Sequence, residues 1–389
     1  MKPRFLRGNA LHLLDSGMEY FPSLLEAIDG ARRDIHLETY IFADDHTGRS
    51  VAHALARAAR RGVNVRVLVD GFGGRDFPAT LMPQLTDAGV HVLIYRRELG
   101  RFALRRRRLR RLHRKLVVID GRTAFIGGIN IIDDSNAQDN IAHRHDYAVR
   151  IEGPLLRPIV RTSRRMWEMV AWASFKRRLR SASLLPAVAA PVGNQRAALL
   201  LRDNILHRRD IEEAYLEAIG SAREEIVIAN AYFLPGRRFR RALTEAVQRG
   251  VRVILLLQGR VEYRLQHYAT QALYGSLMND GVRIFEYHQS FMHAKVAVID
   301  TRWATVGSSN IDPFSLLLAK EANLLVDDAA FAGELRAHLD KAIRDGAKEL
   351  LPDHWRQRPL HARLLRWASY QIVRLLIGLA GYRGRHERS

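Results

Sequence analysis

The chain has no cysteine. A disulfide framework, a thiolate nucleophile and cysteine-ligated zinc are thereby excluded, and a reducing compartment is permitted. The first residues, MKPRFLRGNALHLLDSG, hold no uninterrupted apolar stretch, so no secretory signal is expected and the chain is placed inside the cell. Acidic residues are few beside basic ones: 41 Asp+Glu stand against 62 Lys+Arg, a formal net charge of +21. That excess points to a polyanionic partner, either nucleic acid or an anionic membrane surface, and charge alone does not choose between them. A length of 389 residues with 47% hydrophobic content suits two domains, or one double-lobed unit, with packed cores.

What the chain does have is one stretch that occurs twice. His113–Asn130, HRKLVVIDGRTAFIGGIN, returns in altered form at His293–Asn310 as HAKVAVIDTRWATVGSSN. In the first copy His113, Lys115 and Val117 share the parity of a β-strand, which predicts imidazole and ammonium on one face. Asp120 has the opposite parity and precedes Gly121, so it is expected to anchor the strand end in a tight turn and to stay off the substrate. His293, Lys295 and Asp300 repeat the pattern. Each copy then reaches small residues and an asparagine, Gly127, Gly128 and Asn130 or Gly307, Ser308 and Asn310. Such residues let the backbone approach an anion while the amide donates to it.

Further echoes flank the motifs. EAIDGARRDI (26–35) answers EAIGSAREEI (217–226), RRGVNVRVLVDG (60–71) answers QRGVRVILLLQG (248–259), and DAGVHVLIY (87–95) answers NDGVRIFEY (279–287). The order strand, helix, strand, helix, strand before each histidine motif predicts a duplicated α/β domain packed about a pseudo-twofold axis. Residues 8–30 read as a short entry segment and an amphipathic helix. The run RFALRRRRLRR (101–111) is expected to draw polyanions to the site. Residues 155–180, basic around Trp167 and Trp172, read as an amphipathic helix at a membrane interface, and 181–194 as a linker. From Leu360 to Tyr382, Leu364, Trp367, Ala368, Ile372, Leu375, Leu376 and Leu379 form an apolar stripe opposite Arg363, Arg366, Tyr370 and Arg374. Arginines interrupt this run short of the ~20 residues a bilayer crossing needs, so an in-plane membrane helix is expected, with docking on the protein's own core as the alternative. The expected boundaries are 1–185 and 186–352 for two lobes and 353–389 for the tail.

The two motifs resemble the HxKxxxxD signature of the phospholipase D superfamily, with a GSxN extension in the second copy and GGxN in the first. LETYIFADDHTG (37–48), FIGGIN (125–130) and NAYFLP (230–235) sharpen the resemblance to bacterial cardiolipin synthases of the B type, the subgroup without leading transmembrane helices. It implies an α/β fold of duplicated phospholipase D-like α-β-α lobes, with the C-terminal amphipathic helix added. It also implies a catalytic set of His113, Lys115, Asp120, His293, Lys295 and Asp300, and a phosphate-binding set of Gly128, Asn130, Ser308 and Asn310. Asp146 and Glu321 become the carboxylates that orient histidine rings. His113 is implied as nucleophile and His293 as general acid. Gly128 departs from the superfamily's usual serine, so a hydroxyl donor serves only the second half.

The chemistry stands beside the likeness. A phosphodiester transition state spreads negative charge over its non-bridging oxygens, and Lys115, Lys295, Asn130 and Asn310 converging from two halves would stabilise it. Of two facing imidazoles, one must be neutral to attack phosphorus while the other, protonated, serves the leaving alkoxide. No cofactor is called for, and no metal-ligand set is evident, His143 and His145 reading as polar loop residues. Tyr40, Phe42, Tyr232 and Phe233 read equally as an acyl groove or as packing. The expected function is transfer of a phosphatidyl group between two phosphatidylglycerol molecules at an anionic phospholipid membrane, peripheral on the cytoplasmic face of a bacterial cell membrane. No obligatory protein partner is evident and nucleic acid is disfavoured. The rival is a phosphodiesterase of the same fold acting on other phospholipids or on nucleic acid.

Overall fold

The computed structural model describes residues 3–96, 110–133, 144–175, 186–203, 207–312 and 319–379. Most of the 101–111 arginine run, His143, the end of the 155–180 helix and the first part of the 181–194 linker lie outside the described residues.

Among the described residues the frame is a single 15-stranded sheet whose halves mirror one another. In the first half, β1 (Leu6–Asp15), β2 (Asp34–Thr39), β3 (Asn64–Asp70), β4 (His91–Tyr95), β5 (Lys115–Ile119), β6 (Thr123–Gly127) and β7 (Tyr147–Glu152) lie in the order β1-β7-β6-β5-β2-β3-β4. The second half repeats that order with β8 (Gln195–Arg202), β9 (Glu225–Asn230), β10 (Arg252–Gln258), β11 (Arg283–Tyr287), β12 (Lys295–Ile299), β13 (Trp303–Gly307) and β14 (Glu321–Asp327). Antiparallel pairing of β1 with β8 at the centre joins the halves, and β15 (Ala347–Leu350) closes the far edge. The short entry segment expected at the start of residues 8–30 therefore belongs to a strand, β1, at the centre of the whole sheet and the inner edge of the first half. Leu11 and Leu13 face one core while the intervening His12 is exposed. The chain there alternates Leu with polar residues for too few positions to stand out from a loop.

Helices cover both faces. On one side lie α1 (Ser16–Asp29), α2 (His46–Arg60) and α3 (Leu81–Asp87), on the other α4 (Leu156–Ala173). In the second half α5 (Asp210–Ser221), α6 (Arg237–Gln248) and α7 (Arg264–Asn279) match the first group and α8 (Ala329–Gly346) matches α4. Double coverage explains why β5 and β12, KLVVI and KVAVI, are buried at every residue and read as continuous apolar runs. Local sequence fixes the ends. Asp45 caps α2 by accepting from Gly48 N at 2.8 Å, and Asp328 caps α8 by accepting from Phe331 N at 2.9 Å. Val51, Ala52, Leu55 and Ala58 then give α2 its buried stripe.

The motif aspartates lie at the far ends of their strands. Asp120, at φ +52°, accepts from the backbone N–H groups of Arg32, Arg33 and Asp34 at 2.8 to 2.9 Å. Asp300 does the same for Arg223, Glu224 and Glu225 at 2.9 to 3.0 Å. Their place in the catalytic set is thus corrected. A five-residue strand of roughly 17 Å separates each from its histidine, and each latches the turn that precedes β2 or β9. Asp120→Ala should cost about 2 kcal/mol, because charged acceptors of backbone donors are worth more than neutral ones. Urea unfolding measures this. Loss of activity at unchanged stability would return the aspartate to the chemistry.

The tail corrects an expected choice between membrane and core. Its last described helix, α10 (Leu360–Leu379), follows the short α9 (Pro352–Arg356) and packs on α7. The docked face takes only part of the predicted polar stripe: Arg366, Ser369 and Val373 are buried and Tyr370 packs beside them while Arg363 and Arg374 stay exposed, and Arg366 Nε donates to Gln271 Oε1 at 3.0 Å. Its guanidinium lies 4.4 Å over the Trp355 ring. The apolar stripe faces away from the protein, with Leu364 64%, Trp367 61% and Leu375 64% exposed. Among the described residues no helix is long and apolar enough to cross a membrane.

Candidate active site

Both histidine motifs open into one cavity of ≈ 610 Å³, lined from the two halves by His113 and His293, Asn130 and Asn310, and Tyr40 and Tyr232. Its place follows from the topology. β2, β3 and β4 run parallel, as do β9, β10 and β11, and the cavity lies beyond their carboxyl ends, where open α/β sheets bind ligands. Phe42 and Phe233, candidates for an acyl groove, are core residues, whereas Tyr40 and Tyr232 line the cavity.

The two halves are knitted crosswise. His113 N donates to Lys320 O at 3.0 Å, and His293 N donates to His145 O at 2.8 Å. The next residue on each carbonyl strand supplies a carboxylate to the opposite ring: His113 Nδ1 lies 3.1 Å from Glu321, and His293 Nδ1 lies 2.6 Å from Asp146. Counting from each histidine to the next downstream carboxylate in its own half therefore links the wrong partners, because β7 and β14 meet the opposite lobe at their starts. A carboxylate on Nδ1 directs Nε2 toward the cavity and stabilises the ring when it carries a proton.

This pairing also explains the unequal small residues. A Cβ on Gly128 would meet the Asp146 carboxylate at 2.3 and 2.5 Å, so only glycine leaves room for it. Ser308 Oγ instead donates to Glu321 at 2.5 Å and accepts from Ala322 N at 3.1 Å. Neither lines the cavity, which corrects the phosphate-binding role expected of Gly128 and Ser308; both shape the carboxylate behind the ring. Asn130 and Asn310 do line it. The Asn130 carbonyl oxygen accepts from Ile41 N at 3.2 Å, which turns its amide donors away from that backbone.

The lysines stand behind the rings. Lys115 Nζ donates to His113 O at 2.7 Å and lies 5.4 Å over Tyr40. Lys295 Nζ lies 3.3 Å from Asp146 and 2.8 Å from His293 Nδ1. Burial pushes Lys115 down to about 7, against Glu321, and also lowers Lys295, against Asp146. Burial first, then Lys295, pushes His293 down to about 4, while Asp146 pulls the other way. The free protein thus keeps that ring neutral near pH 7.

Other wall residues have only weak sequence signals. Phe72, Arg111, Arg144, Glu262, Tyr263 and Gln266 line the same cavity, with Arg144 near enough to His293 to lower it. All but Gln266, which lies in α7, are on segments next to a strand end, the one hint available without coordinates. Asp70 binds this rim together by accepting from Phe72 N and Leu112 N, both at 2.8 Å.

The description "Cardiolipin synthase, PLD-like domain" matches residues 24–167 and 215–343, one match in each half of the sheet. The chain belongs to the phospholipase D-like cardiolipin synthase family. It is 40% identical to cardiolipin synthase B of Escherichia coli K12 over 353 residues, 88% of this chain and 82% of that one. It is 31% identical to cardiolipin synthase A of Pseudomonas entomophila over 95% of this chain and 75% of that one. Among solved structures, the phosphatidylserine synthase of Haemophilus influenzae shares the fold at TM-score 0.70 and 16% identity, over 97% of this chain and 96% of that one. Membership in the cardiolipin synthase family makes the protein an enzyme of the phosphatidyltransferase class.

Proposed function

We propose that the protein is a cardiolipin synthase that moves the phosphatidyl group of one phosphatidylglycerol onto the glycerol headgroup of a second. The observation that carries this reading is the pair of motif histidines on one cavity, each backed by a carboxylate from the opposite lobe. His113 Nε2 attacks phosphorus, the bond to the headgroup oxygen breaks, and His293 gives that oxygen its proton, releasing glycerol. A hydroxyl of the second lipid then gives a proton to His293 and attacks phosphorus, and the P–N bond breaks. His293 suits the acid role because it has the shorter carboxylate contact, and an arriving phosphodiester anion favours its protonated form. Lys115 and Lys295 supply positive charge from behind the rings, and Asn130 and Asn310 supply donors from the cavity wall.

The membrane is the substrate's solvent, and the surface of the protein fits it. The outward apolar face of α10 carries Leu364, Trp367 and Leu375, with Arg363 and Arg374 exposed beside it. A helix with its apolar stripe outward and arginines beside it suits an anionic bilayer interface. Peripheral attachment at the cytoplasmic face of a bacterial cell membrane follows from this reading. The lobes 1–185 and 186–352 would carry the chemistry, and 353–389 the attachment. The triple variant Leu364→Glu, Trp367→Glu, Leu375→Glu should cut sedimentation with phosphatidylglycerol vesicles at least tenfold while the protein stays folded, since each buried apolar side chain is worth about 1.5–3 kcal/mol. Undiminished sedimentation would remove α10 from the attachment surface.

The activity is tested by incubating purified protein with phosphatidylglycerol vesicles and reading products by mass. Cardiolipin and glycerol in equal amounts are expected. Inert lipid with cleavage of single-stranded DNA would replace this reading by its nucleic-acid rival.

A further inference from the structure

The cavity is twofold in plan but unlike in its lining. Beside His113 stand Tyr40, Phe72 and Arg111, with the Arg111 guanidinium 4.6 Å over the Phe72 ring. Beside His293 stand Tyr232, Arg144 and Glu262. The duplicated turns VDGFGG (69–74) and LQGRVE (257–262) align a glycine, Gly74, with Glu262. Of the three carboxylates that line the cavity, Asp146, Glu262 and Asp312, Glu262 is thus the one that faces a glycine at the matching turn position of the other half.

Glu262 is not engaged by either histidine. Tyr232 Oη donates to its Oε2 at 2.6 Å, and Arg144 lies 3.5 Å from its Oε1. Burial and then Glu262 itself hold the Tyr232 phenol well above its usual range, so it stays a donor. Arg144 adjoins His145, whose carbonyl receives the His293 backbone N–H, which puts Glu262 on the general-acid side of the site. A carboxylate accepts about four hydrogen bonds, so Glu262 has capacity to spare. Because it repels phosphate, that capacity suits an uncharged group rich in hydroxyls.

We propose that Glu262, set by Tyr232, is a specificity-determining residue that accepts a hydrogen bond from the glycerol hydroxyl not taking part in bond making. This rests on the phosphatidyl-transfer reading above. The same contact serves both half-reactions: the second headgroup reaches phosphorus along the path the first left, so one subsite holds the departing glycerol and then the incoming one. Alcohols without a second hydroxyl forfeit the contact, and water gains nothing from it.

The test is a competition within one reaction. Phosphatidylglycerol vesicles are given equal concentrations of isotope-labelled glycerol and 1-propanol, and labelled phosphatidylglycerol is measured against phosphatidylpropanol. The product ratio is independent of how fast the intermediate forms. Wild-type protein is expected to favour glycerol, Glu262→Gln to lower that preference roughly tenfold, the worth of one hydrogen bond to a charged group, and Tyr232→Phe to lower it less. Equal ratios in wild type and both variants overturn the proposal. If Glu262→Gln does not fold or forms neither product, Tyr232→Phe decides alone: a lowered ratio supports the subsite and an unchanged one overturns it. Wild-type protein that forms neither product would instead overturn the phosphatidyl-transfer reading.

Discussion

His113→Ala and His293→Ala are each expected to lower cardiolipin formation by about 10⁴-fold or more, with the folded structure intact. Each ring is fixed at Nδ1 by a carboxylate and at its backbone by the opposite lobe, so alanine removes the reacting nitrogen and little of the scaffold. The double variant should be no worse than the poorer single one, because a nucleophile and its acid act as a unit. Additive losses would show two independent contributions. Substantial turnover by either single variant would contradict a paired-imidazole mechanism.

Asp146→Asn and Glu321→Gln should each act on the opposite lobe, and pH is the readout. Asp146 raises His293, which burial and Lys295 nonetheless hold down at about 4. Removing that charge lowers the ring further, so less of it carries the proton a general acid needs. The alkaline-side fall of kcat/KM, which reports the free enzyme, should move to lower pH, with roughly 10- to 100-fold less activity near pH 7. Glu321 raises Lys115, which stands at about 7. That ammonium is charged below this value and neutral above it. Glu321→Gln therefore shifts its loss of charge, and the accompanying fall in kcat/KM, to more acidic pH. An unmoved profile in both variants would leave the carboxylates with a packing role alone.

The duplication was legible because its period is carried by motifs with chemistry in them. His-x-Lys, the small residues and the asparagines recur in order, and the strand–helix alternation before them matches β2 to β4 in one half and β9 to β11 in the other. What could not be read was anything that depends on how the halves meet. Asp146 and Glu321 were identifiable as carboxylates, yet their crosswise service follows from the β1–β8 pairing at the centre of the sheet, and β1 itself looks like a loop in sequence. Gly128 and Ser308 looked like phosphate ligands because small residues beside an asparagine suit an anion. Their actual contacts are with Asp146 and Glu321, groups distant in the chain. The stripe of α10 was correct as a pattern, but periodicity alone does not say which side turns inward. Arg366 on Gln271 and Trp355 decides that.

One measurement bears most directly on the shared phosphorus. His293→Ala is mixed with a phosphatidyl p-nitrophenol diester, whose leaving group departs without a general acid, and the quenched protein is digested and mapped by mass. Release of one equivalent of p-nitrophenol with phosphatidyl on His113 is expected, since attack proceeds while resolution by alcohol has lost its base. No adduct on His113, or steady turnover without one, would contradict two imidazoles acting in sequence on a single phosphorus.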